Sequence, residues 1–213
     1  MPKTIGIIQV KGGAGRSTLA TTLAGELSKK GRTVIIDGDM PQGTSASWYA
    51  VRKEAGMAGQ LVADTASNHQ ELLAKAAKHQ EADYIVLDGP PRIAEMTRAI
   101  LVLSDLCLVP VGASMPEIWA TTDILPIVEE ARKVRPVKAS MIWTRYRANT
   151  NLAKRLTQQA SEELGFPIMG TSLAYRVAYQ EAVGDGMTAA ETSNTDARQE
   201  VQALLQPLTG VPR

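Results

Sequence analysis

With 213 residues, 44% of them hydrophobic and 21% charged, the chain has the size and balance of one α/β domain with a full core, expected to run over residues 1–213. A formal net charge of +1 excludes a global attraction to nucleic acid or acidic lipid, so any such contact must come from a local patch. The single cysteine, Cys107, cannot form an internal disulfide and reads as a core residue of a cytoplasmic protein; no signal-peptide pattern is expected, and the longest apolar stretch, 99–111, is short and broken by Asp105, which argues against a membrane span.

Short, nearly continuous runs rich in Ile, Val and Leu predict strands over 4–10, 33–37, 84–88, 106–111, 138–143 and, more weakly, 166–169. Strands buried on both faces of a parallel sheet have this composition. Helical patterns lie between them at 17–30, 70–80, 93–103, 117–133 and 151–164, and two more close the chain at 175–184 and 195–205. In the last, Ala197, Val201, Leu204, Leu205 and Leu208 share a face suited to docking on a core. The segment 56–68, with Gly56 and Gly59, reads as a flexible loop. Alternation of this kind predicts a doubly wound, mainly parallel α/β sheet flanked by helices.

Between the first strand and the first helix stands Lys11-Gly12-Gly13-Ala14-Gly15-Arg16-Ser17-Thr18. Glycines let backbone N–H groups converge on one point, and the helix N-terminus adds partial positive charge, so the turn predicts a phosphate cradle. Ser17 sits where such a loop needs a hydroxyl for Mg²⁺, and Arg16 stands where the usual pattern has lysine. A tight turn without ligand is the plainer reading, but companions oppose it. Asp37 and Asp39 end the second run, and Asp88, followed by Gly89-Pro90-Pro91, ends the third. The carboxyl ends of parallel strands gather at one edge, where Asp88 is expected to face Ser17 across a bound Mg²⁺.

A dinucleotide site is the main rival, because Asp37 lies about 20 residues beyond the glycines. Its spacing fits less well: Gly13-Ala14-Gly15-Arg16-Ser17-Thr18 lacks the third glycine, and Ser17 and Asp88 are left unexplained. No guanine-reading N-K-x-D or T-K-x-D occurs, which favours ATP over GTP.

Most of the chain resembles the ParA/MinD group of deviant Walker ATPases, and within it the small ParA-like partition proteins. Lys11-Gly12-Gly13-Ala14-Gly15 resembles the deviant Walker A loop with its early signature lysine, and residues 37–42 resemble the D-x-D-P-Q segment. Residues 83–91 resemble the Walker B strand and its proline turn, while 115–120 and 176–182 resemble later segments. The resemblance implies that Gly12, Gly13, Ala14, Gly15, Arg16, Ser17 and Thr18 hold ATP or ADP, that Ser17 and Asp88 serve Mg²⁺, and that Asp39 positions the attacking water. It implies a homodimer closed by ATP, with Lys11 reaching the partner's phosphates, binding DNA without sequence preference and released by hydrolysis that a ParB-like or other partner stimulates. The chain departs from the pattern at Val10, where many P-loops have glycine, and at Met40, inserted before Pro41. It departs also at Thr144, near a position where relatives have an adenine-contacting asparagine, and at Arg16. Arginine is planar and larger than lysine, so nucleotide binding is expected to survive and turnover to be slow.

Residues 131–161 carry eight basic side chains and no acidic one. A solvated helix face explains that run when taken alone. With the acids placed elsewhere, however, Arg145, Arg147, Lys154 and Arg155, joined by Arg176, predict a DNA face, and Arg147, Asn151, Lys154 and Arg155 share one face if helix extends that far. His69 and His79 read as solvent-facing, Trp48, Trp119 and Trp143 as packing residues. The last helix lacks an amphipathic membrane-anchor pattern, so DNA and not a membrane is the expected surface, in the cytoplasm and on the nucleoid when ATP is bound. Two other classes stay open. One is a nucleotide-binding regulatory protein with little or no hydrolysis, acting through protein contacts in conjugation, secretion or another assembly, and Arg16 favours it. The other is a metabolic P-loop enzyme.

Overall fold

A computed structural model describes residues 1–148 and 150–209. Within them, seven strands form one sheet in which every pairing is parallel, in the order β3-β2-β4-β1-β5-β6-β7. The strands are β1 (Lys3–Ile7), β2 (Thr33–Asp37), β3 (Leu61–Thr65), β4 (Tyr84–Asp88), β5 (Leu106–Gly112), β6 (Ala139–Tyr146) and β7 (Ile168–Ala174). The helices are α1 (Arg16–Leu27), α2 (Thr44–Glu54), α3 (His69–Lys78), α4 (Ala94–Leu103), α5 (Met115–Thr121), α6 (Leu125–Arg132), α7 (Asn151–Leu164), α8 (Val177–Gly184) and α9 (Thr195–Thr209).

Successive strand residues point to opposite faces, so each central strand feeds two cores. Ile5, Ile35, Val86, Leu108 and Ile142 pack with Leu19 and Leu23 of α1, Trp48 of α2 and Val201 and Leu204 of α9. Val34, Ile36, Ile85, Leu87 and Val109 pack on the other side with Leu72 of α3, Ile100 of α4, Val128 of α6 and Leu156 of α7. The expected docking face of the last helix is buried in full: Ala197, Val201, Leu204, Leu205 and Leu208. Cys107 lies in the core, where burial pushes its thiol up to about 12.

Several elements depart from the sequence expectations. Residues 56–68 are not a loop throughout: Leu61–Thr65 is β3, paired in register with β2. It is an edge strand, half-exposed along most of its length, and so lacks the unbroken apolar run that marks its neighbours. The segment after Asp39, given no helix from sequence, forms α2; its inward face carries only Ser45, Trp48 and Arg52 as buried residues, too polar a set for a periodic apolar signal. The single helix expected over 117–133 is broken into α5, a short 3₁₀ turn and α6, the last starting with a proline in its first turn. The first strand is shorter than expected, ending at Ile7, and β6, expected over 138–143, runs on to Tyr146. Trp119, expected to pack, is exposed, and His79 is not free in solvent but pairs with Asp64 at 3.3 Å.

Candidate nucleotide site

The parallel register carries the ends of β1, β2 and β4 to one edge, with Ile7, Asp37 and Asp88 side by side. The loop 8–15 leaves that edge and enters α1 with Gly13 at φ 78° and Gly15 at φ 91°, a left-handed region that favours glycine. Gly15 is the N-cap of α1, no side chain caps it, and the first turn holds no acid, so its leading N–H groups and their partial positive charge are open to an anion. Neither Gly12 nor Gly13 has another group near the position a Cβ would take, which leaves the rim of the loop clear.

Asp88 is wholly buried at the end of β4. Ser45 of α2 donates to its Oδ2 at 2.6 Å, the Ser17 hydroxyl of α1 lies near enough to favour its charged form, and Oδ1 has no partner. Burial raises its carboxyl to about 7, and the neighbouring Asp37 adds to the rise, while Ser45, Ser17 and Arg16 oppose it. A buried carboxylate with one unspent oxygen beside the P-loop hydroxyl fits a Mg²⁺ site, because a divalent cation offsets the charge burial disfavours. Asp37 is spent differently. It accepts from the N–H of Asp39 at 3.0 Å and of Ala46 at 2.9 Å, tying the loop and the start of α2 to β2; its carboxyl too is raised by burial.

Arg16 is 6% exposed and turned into the loop. Its Nη1 donates to the carbonyls of Gln9 and Lys11, both at 2.8 Å, and Nη2 meets Asp39 Oδ2 at 3.3 Å; Nε has no partner. The guanidinium thus spans the loop and holds Asp39 at its far end. Lys11 leaves the loop on the other side and donates to Glu117 Oε1 of α5 at 2.8 Å. Thr144, at the end of β6, is buried and gives its hydroxyl to the Ala14 carbonyl at 2.9 Å. It also lines, with Gly13, Gly15 and Thr18, a cleft of about 160 Å³ that α8 closes through Tyr179 and Gln180. The structure therefore gathers Lys11, Gly12, Gly13, Ala14, Gly15, Arg16, Ser17, Thr18, Asp39, Asp88 and Thr144 around one loop.

The basic residues divide. Arg147, Lys154 and Arg155 are exposed around the start of α7, but that helix begins at Asn151, so Arg147 lies in the preceding loop and does not share a helical face with Lys154 and Arg155. Arg145 turns toward Glu117, with Nη2 3.6 Å from Oε1. Arg176 is held by Glu200 at 2.8 Å and Asp196 at 3.0 Å, so its charge is balanced within the fold and it stands in the cleft wall. Sequence reasoning gives Ser45 and Glu117 no role at the site. The available signal is position: each follows a parallel strand that ends at the site edge.

A doubly wound parallel sheet with this loop defines a P-loop nucleotide-binding protein. Residues 5–189 match the model of the CobQ/CobB/MinD/ParA nucleotide binding domain, and the chain belongs to that family of P-loop ATPases. It is similar to the maintenance of carboxysome distribution protein A of Halothiobacillus neapolitanus, 29% identical over 189 residues that cover 87% of this chain and 85% of that protein. It is similar also to the chromosome-partitioning ATPase Soj of Thermus thermophilus, 26% identical over 91% of this chain and 89% of the relative. Among solved structures, an ATP complex of Cyanothece McdA aligns with a TM-score of 0.79 at 20% identity, over 100% of this chain and 98% of that one. The septum site-determining protein MinD with Mg-ADP from Pyrococcus horikoshii aligns with a TM-score of 0.78 at 14% identity, over 98% and 96%. Among the described residues, no helix is long and apolar enough to cross a membrane.

Proposed function

We propose that this chain is a slow ParA-like ATPase that pairs with a second copy on binding ATP, holds DNA without sequence preference, and positions or segregates a plasmid, a chromosome region or another cargo. The observation that carries the reading is the convergence, on one sheet edge, of an uncapped P-loop helix, the Ser17–Asp88 pair and Lys11. Gly12 to Thr18 cradle the phosphates through backbone N–H groups, and Ser17 and Asp88 are the residues to hold Mg²⁺. When bound, that ion neutralises phosphate charge. Asp39 orients the attacking water once Arg16 releases it, and Lys11 reaches the phosphates of the second copy. The cleft beside Thr144 takes the base. Arg147, Lys154 and Arg155 supply the DNA face, doubled in the pair, and place the ATP-bound form on the nucleoid within the cytoplasm. A ParB-like or other partner protein stimulates hydrolysis.

One observation favours a second reading. Arg16 already binds two loop carbonyls and Asp39, a geometry suited to holding nucleotide without turning it over. A nucleotide-binding regulatory protein acting through protein contacts follows from it. The test is ATP turnover and DNA retention by the purified chain, with and without duplex DNA at low and moderate salt. ATP-dependent, salt-sensitive retention with measurable turnover supports the first reading. Nucleotide binding with neither DNA retention nor turnover sinks it in favour of the second.

A further inference from the structure

Glu117 lies in the family-like segment 115–120, but the resemblance gives it no role. It stands in the first turn of α5, next to Pro116 and shortly after the end of β5. Its Oε1 takes Lys11 Nζ at 2.8 Å and faces Arg145 Nη2 at 3.6 Å. Its Oε2 is buried and unpartnered, so the carboxylate is not saturated by the contacts it makes. Gly112 lies beside this trio: a Cβ there would come within 2.8 Å of Arg145 Nη2 and 3.1 Å of the Glu117 side chain, so a larger residue would push the Arg145 guanidinium aside. Arg145 adopts φ 53°, a left-handed conformation that costs an ordinary residue energy and persists only where the surroundings enforce it. From that backbone the guanidinium reaches Glu117.

We propose that Glu117 is a positioning residue that retains Lys11 within its own subunit until nucleotide phosphate competes for it, and so sets the ATP concentration at which two copies pair. This rests on the reading of Lys11 as the residue that reaches a second copy's phosphates. The Lys11 side chain is 37% exposed and that of Glu117 12%, so the pair sits at the solvent boundary, where an ion pair is weak enough to exchange. A nucleotide's phosphates carry several negative charges against one on the carboxylate, and they win the lysine when close. Arg145 then remains beside Glu117, so the half-buried carboxylate is not left without a cation when Lys11 leaves. Without Glu117, Lys11 is free before nucleotide arrives, and pairing demands less ATP.

The experiment compares wild type, Glu117→Gln and Glu117→Asp. Acylation of Lys11 in the nucleotide-free protein is read by peptide mass spectrometry against exposed Lys154 in the same digest. Light scattering across an ATP titration reads pairing, and a melting curve for each variant confirms that it is folded. Glu117→Gln is expected to label Lys11 at least about threefold faster and to pair at an ATP concentration lower by about threefold, a change of the size expected for losing one partly exposed ion pair. Glu117→Asp, which keeps the charge, is expected to move both back toward wild type. Equal labelling of Lys11 in wild type and Glu117→Gln overturns the retention. Faster labelling with an unchanged ATP midpoint overturns the competition. If ATP pairs none of the three, the functional reading falls and the competition falls with it. That case is recognised by a labelling difference that persists without any pairing.

Discussion

Two side chains at the site decide more than any others. Arg16 links the Gln9 and Lys11 carbonyls to Asp39, and a shorter lysine cannot span all three. Arg16→Lys is therefore expected to free Asp39 and raise steady-state phosphate release by about tenfold or more, a barrier change of roughly 1.4 kcal/mol; an unchanged rate would show that Arg16 does not limit turnover. Asp88 carries the pH dependence. Its carboxyl titrates near 3.8 when unfolded and about 7 when folded, so the folded state binds the proton more tightly between those values. The group therefore subtracts stability in full above about pH 7, and the loss is recovered as pH falls from 7 toward 4. Asp88→Asn is expected to raise the melting temperature of the nucleotide-free protein at pH 8 and to differ little at pH 4. A difference independent of pH in thermal scans would contradict the buried, half-protonated acid. Mg²⁺–ADP affinity is expected to rise from pH 6 to 8, as the ionised carboxylate becomes available.

At the scale of elements, the segments least evident in the sequence complete the site. α2 supplies Ser45 to Asp88 and is itself fastened to the C-terminal region through Arg52, which is 3% exposed and bonds Glu191 with both Nη1 and Nη2 at 2.8 Å. Burial pushes the Glu191 carboxyl up, but Arg52, the Thr188 N–H and Lys29 more than offset it and hold it at about 2. A depressed acid stabilises the fold above its unfolded value of 4.5, and that share is lost as pH falls from 4.5 to about 2. Glu191→Gln leaves a buried guanidinium with weaker partners, a loss of about 3 kcal/mol. The melting temperature is expected to drop by roughly 10 °C at pH 7, with the gap to wild type closing in acid; an equal gap at pH 2.5 would refute the pairing. Neither α2 nor β3 was legible as an element. α2 buries few apolar groups, and β3 gains its order from pairing with β2 along an edge, a contact many residues away in sequence.

For the whole molecule, a formal charge of +1 conceals an uneven surface. Arg176 is neutralised by Glu200 and Asp196 and Arg132 is paired with Glu129, while Arg147, Lys154 and Arg155 stand exposed around the start of α7. Changing Lys154 and Arg155 together to Ala is expected to weaken ATP-dependent DNA retention by about tenfold in 50 mM salt and to reduce the slope of log affinity against log salt by about two per subunit. Loss of retention with an unchanged slope, in a filter or gel assay across salt concentrations, would assign the DNA face elsewhere.

The sequence by itself determined the local chemistry: glycines that must turn left-handed, a hydroxyl and acids at strand ends, and the apolar runs of β2 and β4, whose bounds it marked residue by residue. Those features depend on neighbours in the chain and on the pleat of a buried strand, so they can be read in order. Only the tertiary structure decided where long flexible side chains end. Arg16 turns back into its own loop, Lys11 crosses to Glu117, and Arg145 and Arg176, alike as letters, both turn to carboxylates within the fold. A charged side chain takes the partner that folding brings within reach, and here that partner is set by which strand lies beside which in the sheet.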